Sequence, residues 1–159
     1  MKIIIEKAKK SDYEDIIKVF SEVSELHAIN LSWKFKSSDP KVIFSEEYFN
    51  ELLNDSNVIF FVAKNNSEII WFLRWTRKKI INHDLLQDRD FLMIDDLGVK
   101  NDYHKKGIGS LLMKEVESWS KTKNVSEIEL NVWSFNENAI QFYLNKSFQA
   151  INQRMRKTL

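Results

Sequence analysis

The three glycines of the chain lie in one short segment, at Gly98, Gly107 and Gly109. The last two belong to "HKKGIGS", in which a loop leads into a predicted helix. The first N–H groups of a helix have no partner inside the helix and carry the positive end of its dipole. Such a helix start binds phosphate, and glycine lets the anion approach the main chain. Lys105 and Lys106 add positive charge, so the segment is a candidate phosphate or pyrophosphate site.

Two better-known phosphate-binding patterns do not fit this segment. A dinucleotide-binding fingerprint needs a third glycine where Leu112 stands. A Walker loop needs Lys followed by Ser or Thr after its last glycine, whereas this sequence continues with Ser110 and Leu111. A helix-starting loop with solvated lysines is the remaining alternative, and the loop alone does not decide between it and an anion site.

Two adjacent carboxylates, Asp95 and Asp96, interrupt the apolar stretch "FLMIDDLGV" before this loop. An acid within an apolar strand is costly unless it is solvated, paired with a cation or used in chemistry. Used in chemistry, either could act as a general base or anchor an amine. Exposure to solvent, or pairing with a lysine, is the alternative.

The hydrophobic pattern predicts the elements that position these residues. Their order is β-α-α-β-β-β-α-β-α-β, which predicts an α/β fold with a single mixed, mostly antiparallel sheet flanked by helices. The predicted elements are a strand over 2–8, a helix begun by a capping box from Ser11 to Glu14, a second helix from Asp39–Pro40 through 53, hairpin strands over 58–64 and 69–76, a strand over 88–99, a helix over 107–123, a strand over 127–133, a helix over 136–146 and a last strand over 148–157.

Composition excludes several classes of protein. The formal net charge is +1, which predicts no general attraction to nucleic acid or membranes. The chain has no cysteine, so it has no disulfide, thiol nucleophile or cysteine zinc site, and its 3 histidines lack metal-ligand spacing. The apolar run near the N-terminus is too short for a signal peptide, so a cytoplasmic location is expected.

The stretch "LGVKNDYHKKGIGSLLM" resembles the acyl-CoA-binding motif of the GNAT family of N-acetyltransferases. That motif is a strand ending in Val, a short loop, and Arg/Gln-x-x-Gly-x-Gly/Ala opening a helix. Downstream, "ELNVWSFNENAIQFYLNKSF" resembles the second half of the family, a strand followed by Asn-x-x-Ala-x-x-x-Tyr on a helix. With the element order, the resemblance spans nearly the whole chain, and it implies one N-acetyltransferase domain over 1–159.

Three positions depart from the family pattern: His104 replaces Arg/Gln, Trp71 replaces a hairpin Gly, and Ser147 replaces the Gly before Phe148.

The resemblance implies acetyl-CoA as co-substrate. The main chain of Leu97, Gly98 and Val99 would bind the pantetheine arm and, at a bulge for which Gly98 is suited, the thioester oxygen. The other implied contacts are those of the pyrophosphate and the cofactor arm, assigned to His104, Lys105, Lys106, Gly107, Ile108, Gly109, Ser110 and Asn136.

The resemblance also implies catalytic roles. Tyr143 would donate a proton or a hydrogen bond to the leaving thiolate, and ordinary core packing is its alternative. Asp95 is favoured over Asp96 as the base, because aminoglycoside-modifying members have a carboxylate at that distance from the loop. Asn136 could equally serve only as the N-cap of its helix.

The expected function is acetyl transfer from acetyl-CoA to a primary amine by direct attack in a ternary complex, because without cysteine the usual acyl-thioenzyme is impossible. A non-catalytic acyl-CoA-binding or regulatory module is the alternative, and a nucleotide-binding interaction domain is a third class. The acceptor would be a small-molecule or peptide amine, with polyamines and aminoglycosides weakly indicated. Dimerisation stays open.

Overall fold

In the computed structural model, which describes residues 3–159, five strands form a single sheet in the order β1-β2-β3-β4-β5. The first four strands pair antiparallel and β4 pairs parallel with β5, which confirms a mixed, mostly antiparallel sheet. The strands are β1 Ile3–Lys7, β2 Val58–Asn65, β3 Glu68–Ile80, β4 Arg89–Val99 and β5 Glu127–Leu130.

Helices cover both faces of the sheet. They are α1 Tyr13–Asn30, α2 Pro40–Ile43, α3 Glu46–Asn54, α4 Ile108–Thr122 and α5 Glu137–Leu144, with short 3-10 turns at Lys10–Asp12 and Asn101–Tyr103. Within residues 3–159, no helix combines the length and apolar character that crossing a bilayer requires.

The pleat of β3 divides the core into two clusters. Trp71, Leu73 and Trp75 pack with α4, whereas Phe72 packs with α1 and α3. Successive side chains of a strand point to opposite faces, so the apolar residues of β3 are buried on both sides of the sheet. The sheet is therefore packed between helices on both faces, and β4 is held next to β3 within it.

Two details differ from the sequence prediction in the N-terminal half. The capping box from Ser11 to Glu14 is wrong, because a 3-10 turn precedes α1 and the Asp12 carboxylate accepts the Lys9 N–H at 2.8 Å. The second predicted helix is two helices, since the chain leaves helical geometry at Phe44 and the Ser45 hydroxyl then caps α3.

The predicted last strand is also absent. Residues 148–159 have no regular secondary structure, and β5 ends at Leu130 rather than at 133. A strand needs a neighbour for its ladder of hydrogen bonds, and a four-residue β5 offers only a short edge. Phe148 still packs against the α4 side of the core, while Ile151 and Met155 are exposed.

Candidate functional site

The end of β4 is open on one side. The β4–β5 pairing stops at Ile94 opposite Leu130, whereas β4 continues to Val99 with β3 as its partner. Within the described residues, the stretch 95–99 therefore has a free edge on the β5 side. A free strand edge presents main-chain groups that an extended ligand can pair with, as an added strand would. The predicted pantetheine-binding residues Leu97, Gly98 and Val99 lie on this edge.

The loop after β4 forms a cluster of free main-chain donors. Lys105 and Gly107 have left-handed φ values of 59° and 76°, and α4 begins at Ile108. Across the described chain, no hydrogen bond has the N–H of any residue from Lys105 to Gly109 as its donor. Successive free N–H groups in such a turn make an anion-binding concavity, strengthened by the helix dipole. The geometry is that expected for a pyrophosphate site.

Glycine is needed at positions 107 and 109 for two different structural reasons. A Cβ at Gly107 would meet nothing within 4 Å, so its glycine is explained by the left-handed φ. A Cβ on Gly109 would lie 3.1 Å from Cζ of Phe142 on α5. Gly109 therefore lets α5 approach α4 closely, in addition to any role toward a ligand. The Ser110 N–H closes the first turn of α4 onto the Gly107 carbonyl.

The bulge in β4 lies at Asp95, and its predicted position at Leu97–Val99 is wrong. Trp75 pairs with Ile94 and Arg74 pairs with Asp96, which leaves Asp95 as the extra residue. Gly98 sits in regular register opposite Phe72, where a Cβ would lie 2.6 Å from Cε1 of that ring. The glycine is therefore required by cross-strand packing.

The bulge brings both aspartates to one guanidinium. Arg74 donates from Nε to Asp96 at 2.6 Å, and its Nη1 lies 3.5 Å from Asp95. The Thr76 hydroxyl donates to the same Asp95 oxygen at 2.5 Å. The three charged side chains are 13–29% exposed, so the cluster is largely shielded from solvent. Pairing with a cation, one of the alternatives left open, is thus what the structure shows, with an arginine as the cation.

Sequence reasoning missed Arg74. Its signal was available, since it is the one charged residue within the apolar stretch "IIWFLRWT" and the strand pairs with the one that carries Asp95 and Asp96. The cross-strand register, which the sequence does not show, decides which of these charges meet.

Tyr143 lies on α5 in an aromatic setting. Its ring is 9% exposed and packs edge-on against Phe142 and Phe148. Burial raises the pKa of Tyr143 to about 12, so the phenol keeps its proton at neutral pH. Asn136 is the N-cap of α5, and its side-chain oxygen accepts the Ala139 N–H at 3.1 Å. The cap leaves the amide NH₂ of Asn136 free of that bond and able to donate to a ligand.

His104 and Lys106 flank the donor cluster. The His104 Nε2 bonds the Val99 carbonyl at 3.1 Å, which ties the loop to the end of β4. The Lys106 ammonium lies 4.9 Å from the centre of the Tyr103 ring. His104 thus holds the loop in shape, a role that was not expected of it.

A cleft of about 430 Å³ opens beside the same loop, on the side of α1. Glu22 on α1 accepts the Asn101 N–H at 2.8 Å, and Glu68 pairs with Lys100 at 2.5 Å. These bonds fasten the loop to α1 and to the β2–β3 hairpin. The described residues contain no group of three or more His, Asp or Glu that could hold a metal ion.

Large aromatic side chains could line a pocket for the acceptor, and four of them, Trp33, Phe35, Trp75 and Trp133, divide into two sets. Trp75 is fully buried and stacks on Phe61, so it belongs to the core. Trp33 is 53% exposed, and Phe35 lies edge-on to Trp133 with ring centres 5.8 Å apart. The second set lies beyond the end of α1, close to the segment that follows β5.

The sequence is similar to a known protein family and to a characterised member of it. The sequence profile of the "Acetyltransferase (GNAT) family" matches residues 21–148. Streptothricin acetyltransferase A of Bacillus subtilis (strain 168) is 25% identical over 107 residues, 66% of this chain and 61% of that protein. The match thus spans about three fifths of the curated relative.

Solved structures extend the similarity to the whole fold. A mutant of the BH1408 protein of Bacillus halodurans superposes with a TM-score of 0.93 at 25% identity, covering 98% of this chain and 99% of that one. PaiA N-acetyltransferase of Thermoplasma acidophilum in complex with coenzyme A gives 0.77 at 22% identity, over 97% and 94%. An aminoglycoside acetyltransferase from an uncultured soil metagenomic sample, in complex with sisomicin, gives 0.71 at 21% identity, over 99% and 95%.

Proposed function

The chain belongs to the acetyltransferase (GNAT) family, and from this premise we propose that it transfers an acetyl group from acetyl-CoA to a primary amine within a ternary complex. One observation carries the proposal. The edge of β4 at 95–99 that lacks a strand partner is followed, after the short turn at Asn101–Tyr103, by the unpaired N–H groups of 105–109, and His104 ties the two together through the Val99 carbonyl. An extended arm that ends in a pyrophosphate, as in coenzyme A, matches an open strand edge followed by an anion site.

The acceptor amine must lose a proton before it attacks. An ordinary alkylamine has a pKa of about 10.4, so only about one molecule in a few thousand is neutral at pH 7. We assign the base to the carboxylate pair of Asp95 and Asp96, which lies on β4 just before Leu97. The oxygen of the thioester becomes negative during attack, and main-chain N–H groups on the free edge at 97–99 would stabilise it.

The leaving thiolate needs a partner, and Tyr143 is assigned to it. An ordinary alkyl thiol has a pKa of about 8.5. Since burial raises the pKa of Tyr143 to about 12, full proton transfer to the thiolate would be uphill by roughly 5 kcal/mol. Tyr143 therefore acts as a hydrogen-bond donor to the sulfur as charge develops there, and it stays protonated in the resting protein.

Two experiments separate this enzyme from the other classes. Calorimetry with acetyl-CoA tests binding, and Lys105→Glu combined with Lys106→Glu should weaken it at least about tenfold by reversing charge beside the donor cluster. A nucleotide-binding domain would instead prefer ATP or NAD in competition with coenzyme A. Amine-dependent release of free thiol then distinguishes an enzyme from a binding module, which would bind acetyl-CoA without releasing thiol.

The kinetic order tests the direct mechanism. The sequence has no cysteine, so the usual thioester intermediate on the protein has no residue to form on. Intersecting initial-rate lines for acetyl-CoA and amine are expected. Parallel lines together with an acetylated protein trapped in the absence of amine would contradict direct transfer.

Other parts of the proposal rest on the sequence. We propose that residues 1–159 form one acetyltransferase domain, that it works in a reducing, cytoplasmic setting, and that its substrate is a small-molecule or peptide amine. Neither nucleic acid nor membrane is a proposed partner, and a homodimer is tested by light scattering.

A further inference from the structure

We infer that Arg74 gives the two aspartates of β4 different tasks: Asp95 contacts the acceptor amine as its base, and Asp96 positions Arg74. The inference rests on the proposed function and deepens it. It concerns a guanidinium from the neighbouring strand that is not itself a catalytic group.

The geometry starts from the bulge. In a regular strand, adjacent side chains point to opposite faces, so Asp95 and Asp96 could not share one partner. An extra residue at a bulge changes this alternation and re-aims a side chain. Because Asp95 is that extra residue, both carboxylates turn toward Arg74 on β3.

The two carboxylates are compensated unequally. Asp96 holds the short bond, 2.6 Å from Nε of Arg74, while Asp95 is 3.5 Å from Nη1. Asp95 instead accepts a hydrogen bond from a neutral group, the Thr76 hydroxyl, at 2.5 Å. Asp95 therefore keeps more of its negative charge uncompensated. The residue as a whole is exposed at the bulge, and 20% of its side-chain surface is open, which leaves the carboxylate within reach of a substrate.

The charge of the cluster indicates the kind of acceptor. Two carboxylates and one guanidinium leave a net charge of −1 in a site that is largely shielded from water. An ammonium group would neutralise it, whereas a carboxylate on the acceptor would be repelled. The acceptor is therefore a cationic primary amine without an acid group next to its nitrogen.

The proton and electron changes balance without any further reagent. Asp95 takes one proton from the ammonium, and the nitrogen lone pair attacks the thioester carbon. The C–S bond then breaks and its electron pair leaves with sulfur, which accepts a hydrogen bond from Tyr143. The second proton of the new amide nitrogen passes to the thiolate, and Asp95 returns its proton to solvent.

The chain offers a matched control for Arg74. Arg77 on β3 bonds Asp90 on β4 at 2.8 Å and 2.6 Å, so it makes the same type of pair between the same two strands. This second pair lies away from the bulge. Arg77→Gln therefore controls for the loss of an arginine–aspartate pair between these strands, and only Arg74→Gln should alter amine kinetics.

The test measures kcat and KM separately for a polyamine, an aminoglycoside and a lysine peptide, with the reaction followed by thiol release. Asp95→Asn should lower kcat/KM by about 10²- to 10⁴-fold, the usual contribution of a general base. Asp96→Asn should lower it no more than about tenfold. Arg74→Gln removes the guanidinium that both aspartates face, so misplacement of the base should lower kcat for the amine about 10- to 100-fold while acetyl-CoA affinity stays nearly unchanged. Arg74→Lys should restore much of that kcat, and Arg77→Gln should leave it unaltered.

The outcomes separate this inference from the proposed function. If the wild-type protein binds no acetyl-CoA and acetylates no amine, the proposed function fails and the inference fails with it. If the wild type is active but Asp96→Asn costs more than Asp95→Asn, only the assignment of tasks is overturned. A kcat for the amine that is unchanged in Arg74→Gln would likewise refute the role of Arg74 and leave the function standing.

Discussion

Gly98 provides a direct test of how β4 is built, through the substitution Gly98→Ala. The added Cβ would lie 2.6 Å from Cε1 of Phe72, 3.0 Å from Cζ and 3.2 Å from Cδ1. The ring cannot move aside easily, because Phe72 is 1% exposed and packs against Phe60 with ring centres 5.7 Å apart. Either the ring or the strand must therefore shift.

The expected loss of stability is moderate. Forcing an extra methyl group into a packed core costs about 1–3 kcal/mol. Replacing glycine by alanine in a regular element returns about 0.5–1 kcal/mol. The two effects sum to a loss of about 0–2.5 kcal/mol in the free energy of unfolding, and because the ring is held in place we expect the upper half of that range, about 1–2.5 kcal/mol, with a fall in Tm of about 2–10 °C for a domain of this size.

The assay is urea unfolding followed by the fluorescence of the 5 tryptophans. A double-mutant cycle with Phe72→Leu shows whether the ring is the cause, because the leucine side chain removes the ring edge that the Cβ would meet. The two substitutions should couple by at least about 0.5 kcal/mol, with the double variant more stable than additivity predicts. Acetyl-CoA affinity of the folded protein should change little.

Two results would refute this reasoning. Additive losses in the cycle would mean that Phe72 does not impose the glycine. A variant of unchanged stability that has lost turnover would mean that Gly98 serves the ligand edge directly, as expected from the sequence.

Three further predictions concern other positions. Ser147 has a left-handed φ of 65°, so Ser147→Gly should raise the free energy of unfolding by about 0.5–1 kcal/mol, while Ser147→Ala should give no gain in the same urea assay. Tyr143→Phe should lower kcat about 10- to 100-fold, the effect of losing a hydrogen bond to a charged group, with acetyl-CoA affinity nearly unchanged in calorimetry; an unaltered kcat would assign Tyr143 to packing alone. The Arg77 guanidinium holds the pKa of Asp90 below its ordinary value, so the stabilisation is present above about pH 4 and is lost as the pH falls through the lowered pKa. The stability gap between wild type and Asp90→Asn should accordingly be largest near neutrality and close in acid, and a gap that is independent of pH would contradict the pairing.

Most of the architecture is encoded locally and could be predicted. The strand stretches of the hairpin have strong apolar runs, and Asn66 adopts the left-handed φ that their tight turn needs. Helix α4 was predicted from its apolar stripe to within about one residue at each end. These features depend on spacing along the chain, which is what a sequence records.

The errors occur where a neighbour in space decides. The helix predicted from Pro40 onward breaks because Phe44 turns into the core, where its carbonyl accepts the Tyr13 hydroxyl at 2.9 Å. The segment after Phe148 has the composition of a strand, but a strand also needs an edge to pair with. Neither Tyr13 nor the short β5 is close to these segments in sequence.

The candidate site shows the same division. The free amides of 105–109 follow from local features, since a glycine with positive φ and a helix start lie side by side. The environment of Asp95 does not follow from local features, because it depends on a one-residue shift in the pairing of β3 with β4. Without the bulge, Asp95 would face away from Arg74, toward the side of the sheet that α4 covers. Its charge would then lie against the apolar cluster around Leu92 and Val116.

A strand without the bulge would be costly, so the bulge and Arg74 are both needed to accommodate the two aspartates. An unpaired carboxylate among apolar side chains costs several kcal/mol or takes up a proton, and in either case it is a poor resting base. The bulge turns Asp95 away from the side that α4 covers. Arg74 can then face both aspartates, and it pairs mainly with Asp96. A residual charge of −1 is tolerable there because Asp95 accepts the Thr76 hydroxyl and both aspartate side chains keep some contact with solvent, at 20% and 29% exposure. The same charge remains available for an ammonium group, so the feature that makes β4 stable with two adjacent aspartates is also the one that favours a cationic acceptor.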